Sequence, residues 1–289
     1  MSEIPVCRPP DRNPRRSALA APPGSVDCHT HVFDSRFPLS PQRGYTPPDS
    51  TLADMLHMHA QLGIERVVLT QPSAYGIDNS AILDAMAQIP EQARAVISVD
   101  MTITDDQLVA LDGEGVRGLR VNLDNKGGIA VALSDVPILA ERVRDLGWHV
   151  EFLFAGSDLP ELAPLLRSLT TPVSVAHFAY MPADAGVAYP PFRLLVDLVR
   201  EDGTWVKLSA PNRLGVGDLG PWDEVVPMAH ALIEANPERM LWASDWPHPN
   251  KFGDQPNDAD LFVQLGRWAP DEYKRRRILV DNPAALYRF

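Results

Sequence analysis

Residues 25–33 read Ser-Val-Asp-Cys-His-Thr-His-Val-Phe, a short apolar run that carries two histidines separated by one residue. It is the first of eight such runs, and an amphipathic stretch follows each of them. Runs of about five apolar or β-branched residues are typical of strands buried on both faces. The predicted strands are 25–33, 65–70, 94–99, 117–122, 148–154, 172–177, 204–208 and 239–244. The predicted helices are 51–62, 78–89, 105–112, 135–146, 158–169, 190–201, 222–236 and 258–268, with a last helix near 270–279.

Eight strands alternating with eight helices predict an α/β fold, a closed (β/α)8 TIM barrel in a single domain. The alternative is an open doubly wound sheet, but no glycine-rich nucleotide loop follows the first strand. Residues 1–24 are rich in Pro and Arg and show no periodicity. We therefore expect an irregular N-terminal arm over residues 1–24 and the barrel over residues 25–289.

The formal net charge of -12 bears on the partners of the chain. An acidic protein repels nucleic acid and anionic membranes, and no apolar run reaches the length of a membrane helix. We expect neither partner. The two cysteines, Cys7 and Cys28, do not make a disulfide framework, which fits a cytoplasmic location. An anionic substrate would need Arg or Lys side chains in the pocket.

Polar residues at the carboxyl ends of the predicted strands are the candidate catalytic residues, because barrel active sites lie there. His29 and His31 point to the same side of strand one, since residues i and i+2 share a face. His177 ends strand six and Asp245 follows strand eight. Three imidazoles and a carboxylate can bind Zn²⁺ with a water, or activate water without metal. Asp245 would be the general base, while a capping role or a pair with an arginine stays open for it.

Arg120 and Arg213 also lie at strand ends, and a guanidinium binds a carboxylate through two parallel hydrogen bonds. They indicate an anionic ligand, with ion pairing to protein carboxylates as the alternative. Lys126, Tyr45 and Ser73 are weaker candidates for substrate binding, since a solvated lysine and ordinary packing would explain them as well. The remaining histidines away from strand ends are interpreted as structural, namely His57, His59, His149 and His230.

Five segments resemble known sequences: residues 26–31 (VDCHTH), 115–120 (GVRGLR), 176–178 (AHF), 242–248 (WASDWPH) and 281–287 (DNPAALY). They are similar to the amidohydrolase superfamily, closest to the branch that holds 2-pyrone-4,6-dicarboxylate lactonase, over about residues 24–289. The resemblance implies that His29, His31 and His177 polarise a lactone carbonyl while Asp245 takes a proton from water. The resulting hydroxide attacks the carbonyl, and the ring oxygen leaves.

The resemblance also bears on cofactors. The pyrone-dicarboxylate enzymes work without metal, whereas related lactonases and decarboxylases use Zn²⁺. This sequence has no evident bridging lysine for a two-metal centre. We expect that no cofactor is required. The alternative is a single Zn²⁺ held by His29, His31, His177 and Asp245.

The substrate pocket resembles the family only in part. Lys126, Leu153, Tyr180 and Ala176 stand where the family has an arginine, a tyrosine, an arginine and often an aspartate. Five substrate-binding candidates are retained in type, namely Arg120, Arg213, Tyr45, Ser73 and His248. We expect a hydrolase of a small carboxylated lactone of the 2-pyrone-4,6-dicarboxylate kind. The alternatives are a muconolactone or sugar-lactone hydrolase, a Zn²⁺-dependent non-hydrolytic decarboxylase on the same barrel, and a non-catalytic binding protein.

Overall fold

A sheet of eight parallel strands forms the centre of the molecule. A computed structural model describes residues 4–125, 127–128 and 130–289, and its strands stand in the sheet in chain order from β1 to β8. The strands are β1 Val26–Thr30, β2 Arg66–Thr70, β3 Ala93–Ile97, β4 Val116–Asn122, β5 His149–Leu153, β6 Val173–Val175, β7 Trp205–Leu208 and β8 Met240–Trp242. All eight predicted strands, and with them the (β/α)8 barrel, are confirmed.

Helices connect the strands. They are α1 Leu52–Leu62, α2 Ser80–Gln88, α3 Asp105–Glu114, α4 Val136–Arg144, α5 Leu159–Ser168, α6 Pro190–Glu201, α7 Val225–Ala235, α8 Asp258–Trp268, α9 Glu272–Arg276 and α10 Asn282–Tyr287. The predicted last helix near 270–279 is too short, because a π-helical segment, Arg277–Asp281, joins α9 to α10. Pro283 lies in the first turn of α10, where its missing N–H costs no hydrogen bond. Within the described residues no helix is long and apolar enough to cross a membrane.

The barrel closes between the first and last strands through residues of the predicted site. The backbone N–H of Asp245 donates to the His29 carbonyl at 3.0 Å, and the N–H of His31 donates to the Trp246 carbonyl at 2.8 Å. The Asp27 carboxylate accepts from the N–H groups of Ser244 and His29, at 3.0 and 3.2 Å. These bonds form a closing seam, which we define as residues 27–31 and 244–246.

Two apolar layers surround the strands. The larger packs the outer faces of the strands against the helices, and the smaller fills the lower barrel interior. Cys28 belongs to the lower interior, and a register shift between Asp27 and Thr30 lets the next residue, His29, also face inward. Tyr287 of α10 packs into the lower interior from below. The barrel floor is therefore closed, and the interior is open to solvent only at the opposite end.

Candidate active site

A cavity opens at the carboxyl ends of the strands, where barrel active sites lie. Its lining comes from both strand ends and loops: His31, Tyr45, Pro72, Ser73, Arg120, Asn122, Asn125, Leu153, His177, Tyr180, Arg213, Asp245, Pro249 and Asn250.

The four predicted catalytic residues meet at the base of this cavity, and we call them the His/Asp centre: His29, His31, His177 and Asp245. The His29 ring centroid lies 4.9 Å from that of His31 and 4.6 Å from that of His177. Asp245 Oδ1 lies 3.4 Å from His177 Nε2 and 3.8 Å from His31 Nε2. All four side chains are buried. The spacing argument therefore placed His29 and His31 correctly on one side of β1.

Hydrogen bonds at the far nitrogens orient two of these rings. His31 Nδ1 lies 2.7 Å from the Thr70 carbonyl oxygen, which can only accept, so Nδ1 carries the proton. His177 Nδ1 lies 2.8 Å from Ser209 Oγ, and the Ser209 hydroxyl donates to the Lys207 carbonyl at 3.3 Å. The Ser209 oxygen therefore accepts from His177. In the neutral form, both rings present an unprotonated Nε2 to Asp245.

Burial keeps these imidazoles neutral. It lowers the pKa of His177 to about 3 and also lowers the pKa of His31, despite the nearby Asp245 carboxylate. Burial likewise lowers the pKa of His29, and the positive charge of Lys207 adds to the effect. At neutral pH the three rings are therefore uncharged and act through hydrogen bonds.

Asp245 is an ionised carboxylate with an arginine partner. Burial alone would raise its pKa, but the Arg213 guanidinium outweighs burial and holds the pKa well below the usual value. Arg213 Nε donates to Asp245 Oδ2 at 2.6 Å, while Oδ1 faces the imidazoles. The backbone of Asp245 is left-handed, with φ 66°. The pairing with arginine and the role of base are thus compatible, since each uses a different oxygen.

A left-handed turn after β6 carries His177 into the cavity. His177, Phe178, Ala179 and Tyr180 have φ values of 53°, 53°, 56° and 47°. Such a backbone costs roughly 1–2 kcal/mol per L-residue, so the surrounding packing must hold it. Phe178 is buried against Trp268, with 5.5 Å between ring centroids. The turn stacks the Tyr180 ring on His177 at 5.6 Å, and both line the cavity.

Four of the predicted substrate-binding residues line the same cavity: Arg120, Arg213, Tyr45 and Ser73. Arg120 donates to the Gln71 carbonyl, which aims the guanidinium across the opening. Ser73 Oγ lies 3.4 Å from the Tyr45 hydroxyl. Burial raises the pKa of Tyr45 to about 12, so its phenol stays a hydrogen-bond donor at neutral pH.

Of the other two predicted substrate-binding residues, only His248 can be placed, and it is not among the residues that line the cavity. Lys126 lies outside the described residues. His248 is buried, and its Nε2 lies 3.2 Å from Asp258 Oδ1 at the start of α8. The His248 side chain therefore lies against the start of α8 and away from the cavity lining.

Comparison with known proteins identifies the family. The amidohydrolase family pattern matches residues 26–289. The chain belongs to the amidohydrolase family. It is 39% identical to a 4-sulfomuconolactone hydrolase from Rhizobium radiobacter, over 98% of this chain and 96% of that protein. A 2-pyrone-4,6-dicarboxylate hydrolase from Comamonas testosteroni is 36% identical over 95% of this chain and 93% of its own length. A crystal structure from Agrobacterium tumefaciens superposes with a TM-score of 0.84 at 31% identity, covering 93% of this chain and 97% of that one.

Several residues of this amidohydrolase site were not among the predicted site residues. Asn122, Asn125 and Asn250 add amide groups to the cavity lining, and Asn250 donates to Asn125 at 2.8 Å. Below the cavity, Glu151 and Lys207 form a fully buried ion pair beside His29. A charged residue inside each of two apolar strands was a signal available in the sequence. Their partners were not, because β5 and β7 lie far apart along the chain.

The donor set of the His/Asp centre fits one divalent cation. His29, His31 and Asp245 each offer a ligand atom, and these atoms lie within 4.8 Å of one another. His29 Nε2 is buried and has no hydrogen-bond partner among the described residues. Two histidines and a carboxylate are ordinary zinc ligands. The Arg213 guanidinium on Asp245 Oδ2 adds a positive charge that opposes a cation at this point.

Proposed function

We propose that this amidohydrolase opens a small lactone that carries acidic groups, using water activated by Asp245. The observation that carries the proposal is the Asp245 carboxylate itself, held ionised by Arg213 at one oxygen while its other oxygen faces the imidazoles. The two curated relatives above, at 39% and 36% identity over nearly the full chain, are lactone hydrolases by name and support the same class.

The proposed mechanism divides the work among the residues of the centre. Asp245 Oδ1 and the unprotonated Nε2 atoms of His31 and His177 converge, so they hold a water through its two protons. Asp245 takes one proton as the water oxygen attacks the lactone carbonyl. The tetrahedral intermediate then collapses: the bond between the carbonyl carbon and the ring oxygen breaks, and protonated Asp245 returns its proton to the departing ring oxygen. This division replaces the expectation that all three histidines polarise the carbonyl, because a neutral Nε2 without a proton cannot donate.

For the cofactor, we propose that the reaction does not require metal. The cationic Arg213 already neutralises Asp245, and the carboxylate is ionised without a second cation. Were Zn²⁺ to bind, His29, His31 and Asp245 would hold it, and it would supply Lewis-acid polarisation of the carbonyl. Metal analysis of the protein purified without added zinc, with activity measured before and after chelation, tests this point.

For the substrate, we propose a one-ring lactone of the 2-pyrone-4,6-dicarboxylate kind. Arg120 and Arg213 provide the positive charge that an anion needs inside a protein of net charge -12. Leu153 leaves part of the wall apolar, which suits a planar ring. A sulfonated muconolactone is the second candidate, because the amides of Asn122, Asn125 and Asn250 can donate to sulfonate oxygens without further charge.

The two buried cysteines are unpaired, which supports a cytoplasmic site of action.

A substrate panel tests the proposal. The enzyme is mixed with 2-pyrone-4,6-dicarboxylate, 4-sulfomuconolactone, a muconolactone without sulfonate and a sugar lactone, each with and without a chelator. Hydrolysis is followed by ring absorbance and by proton release, and CO₂ is measured in parallel. Turnover of an acidic lactone that is lost in the Asp245→Asn variant supports the proposal. CO₂ release without hydrolysis, or no turnover of any lactone, contradicts it.

A further inference from the structure

A buried lysine beneath the His/Asp centre has all of its donors engaged. Lys207, on β7, is fully buried, and its ammonium contacts three acceptors. It donates to the Cys28 carbonyl at 2.6 Å and to Glu151 Oε2, and its third contact is His29 Nδ1 at 3.2 Å. An ammonium has three N–H donors and no acceptor. Each proton of Lys207 therefore has one partner, and the third of these partners is an imidazole nitrogen.

The contact with His29 decides where the imidazole proton lies. If His29 Nδ1 were protonated, its N–H would face an N–H of Lys207, and one buried ammonium donor would lose its acceptor. The competing acceptor is Glu151 Oε1, 3.3 Å from His29 Nδ1. That contact is out of line for a hydrogen bond, and Glu151 Oε1 has no hydrogen-bond partner among the described residues. The contact with Lys207 satisfies hydrogen-bond geometry, and an ammonium can only donate, so we assign Nδ1 as the acceptor.

We propose that Lys207 is a positioning residue that holds His29 in the tautomer with the proton on Nε2. His29 is then the reverse of its two neighbours, since His31 and His177 carry their protons on Nδ1. The His/Asp centre thus contains one imidazole N–H donor, on His29, facing two imidazole acceptors and the Asp245 carboxylate. This donor, His29 Nε2, is buried and has no hydrogen-bond partner among the described residues. It can therefore bind an oxygen atom of a ligand.

This arrangement determines which kind of group can bind at His29 Nε2. The His29 N–H can donate to the carbonyl oxygen of a substrate and to the oxyanion that follows, which is where preorganised donors contribute most to catalysis. A divalent cation needs the Nε2 lone pair, and it must first displace this proton. Lys207 therefore favours an oxygen over a metal at this nitrogen. The role in carbonyl polarisation rests on the proposed hydrolysis, whereas the tautomer does not.

Nitrogen NMR of the wild-type protein measures the tautomer without any substrate. Histidine labelled with ¹⁵N gives each ring a pattern that identifies its protonated nitrogen, and the His29→Asn variant assigns the His29 signals. We expect a protonated Nε2 on His29 and a protonated Nδ1 on His31 and His177. A protonated Nδ1 on His29 overturns the proposal. If the tautomer is as expected but no lactone is hydrolysed, the proposed function fails and this inference stands.

The Lys207→Met variant tests the cause. Without the ammonium, Glu151 becomes the acceptor for His29, so the proton should move to Nδ1 and free Nε2. Zinc affinity, measured by competition with a coloured chelator, should then rise about 10- to 100-fold. Changes of this size in metal affinity are usual when the hydrogen-bond partner of a metal-binding histidine is altered. Tyr287→Phe is the matched control, because it alters the same buried layer beside Lys207 without touching its hydrogen bonds. An unchanged tautomer in Lys207→Met, or an equal zinc response in both variants, overturns the proposal.

Discussion

Replacing Asp245 by Asn separates the role of base from the role of structural partner. Arg213 Nε binds Oδ2 at 2.6 Å, so the amide oxygen of Asn should take that place and turn its NH₂ toward His31 and His177. Both of those Nε2 atoms are acceptors, so the variant keeps a complete set of hydrogen bonds. The base is lost, and general-base catalysis is worth about 10²–10⁴-fold in kcat, or about 3–5 kcal/mol. The bond to Arg213 loses its charge assistance, which should cost about 1–2 kcal/mol of stability.

The assay compares kcat on the best lactone of the panel with the free energy of unfolding in urea. Asp258→Asn is the control, because Asp258 is an equally buried aspartate beside His248 and does not line the cavity. It should lose a similar amount of stability and keep kcat within about tenfold. If Asp245→Asn retains more than a tenth of wild-type kcat, Asp245 is not the base and the mechanism proposed above is wrong.

Three further results are expected. Arg120→Gln should raise KM for an acidic lactone about 10- to 100-fold, because it removes a charged hydrogen bond. The KM for the neutral methyl ester of the same lactone should rise less. An equal rise in KM for both substrates would refute anion binding by Arg120. The pKa values of His149 and His177 are about 4 and about 3 in the folded protein, against about 6.5 in the unfolded chain. The contribution of these neutral rings to the free energy of unfolding is therefore complete above pH 6.5. Below that pH the free energy of unfolding falls by about 1.4 kcal/mol per pH unit for each ring, down to about pH 4. Urea unfolding from pH 7 to 4.5 checks this, and a flat profile contradicts it. Gly118→Ala would place a methyl carbon 2.5 Å from His149 Cε1, so we expect a loss of about 1–3 kcal/mol, measured by the same unfolding curves.

The barrel and the grouping of the His/Asp centre could be predicted because they depend on local patterns. A parallel strand reads as a short apolar run, and a (β/α)8 barrel puts every strand end at one face. Two histidines at i and i+2 share a side of β1, and His177 and Asp245 follow strands that the pattern located. Topology alone therefore brought four residues from three parts of the chain to one point.

Side-chain partners and backbone turns could not be predicted in this way. Lys207 and Glu151 were visible as charges in apolar strands, but their pairing depends on two strands 56 residues apart in sequence. The left-handed turn from His177 to Tyr180 contains no glycine, so nothing in its sequence announces it. His248 illustrates the same limit. Its backbone is left-handed, with φ 59°, and its side chain lies against Asp258 and not in the cavity.

The closing seam has a consequence for how the enzyme is made. The backbone bonds that join the ends of the barrel come from His29, His31 and Asp245, more than 200 residues apart. During synthesis one edge of β1 therefore stays without its backbone partner until the residues after β8 have left the ribosome. A chain that ends before Asp245 lacks both the closing seam and the carboxylate of the His/Asp centre, so barrel closure and assembly of that centre depend on the same residues.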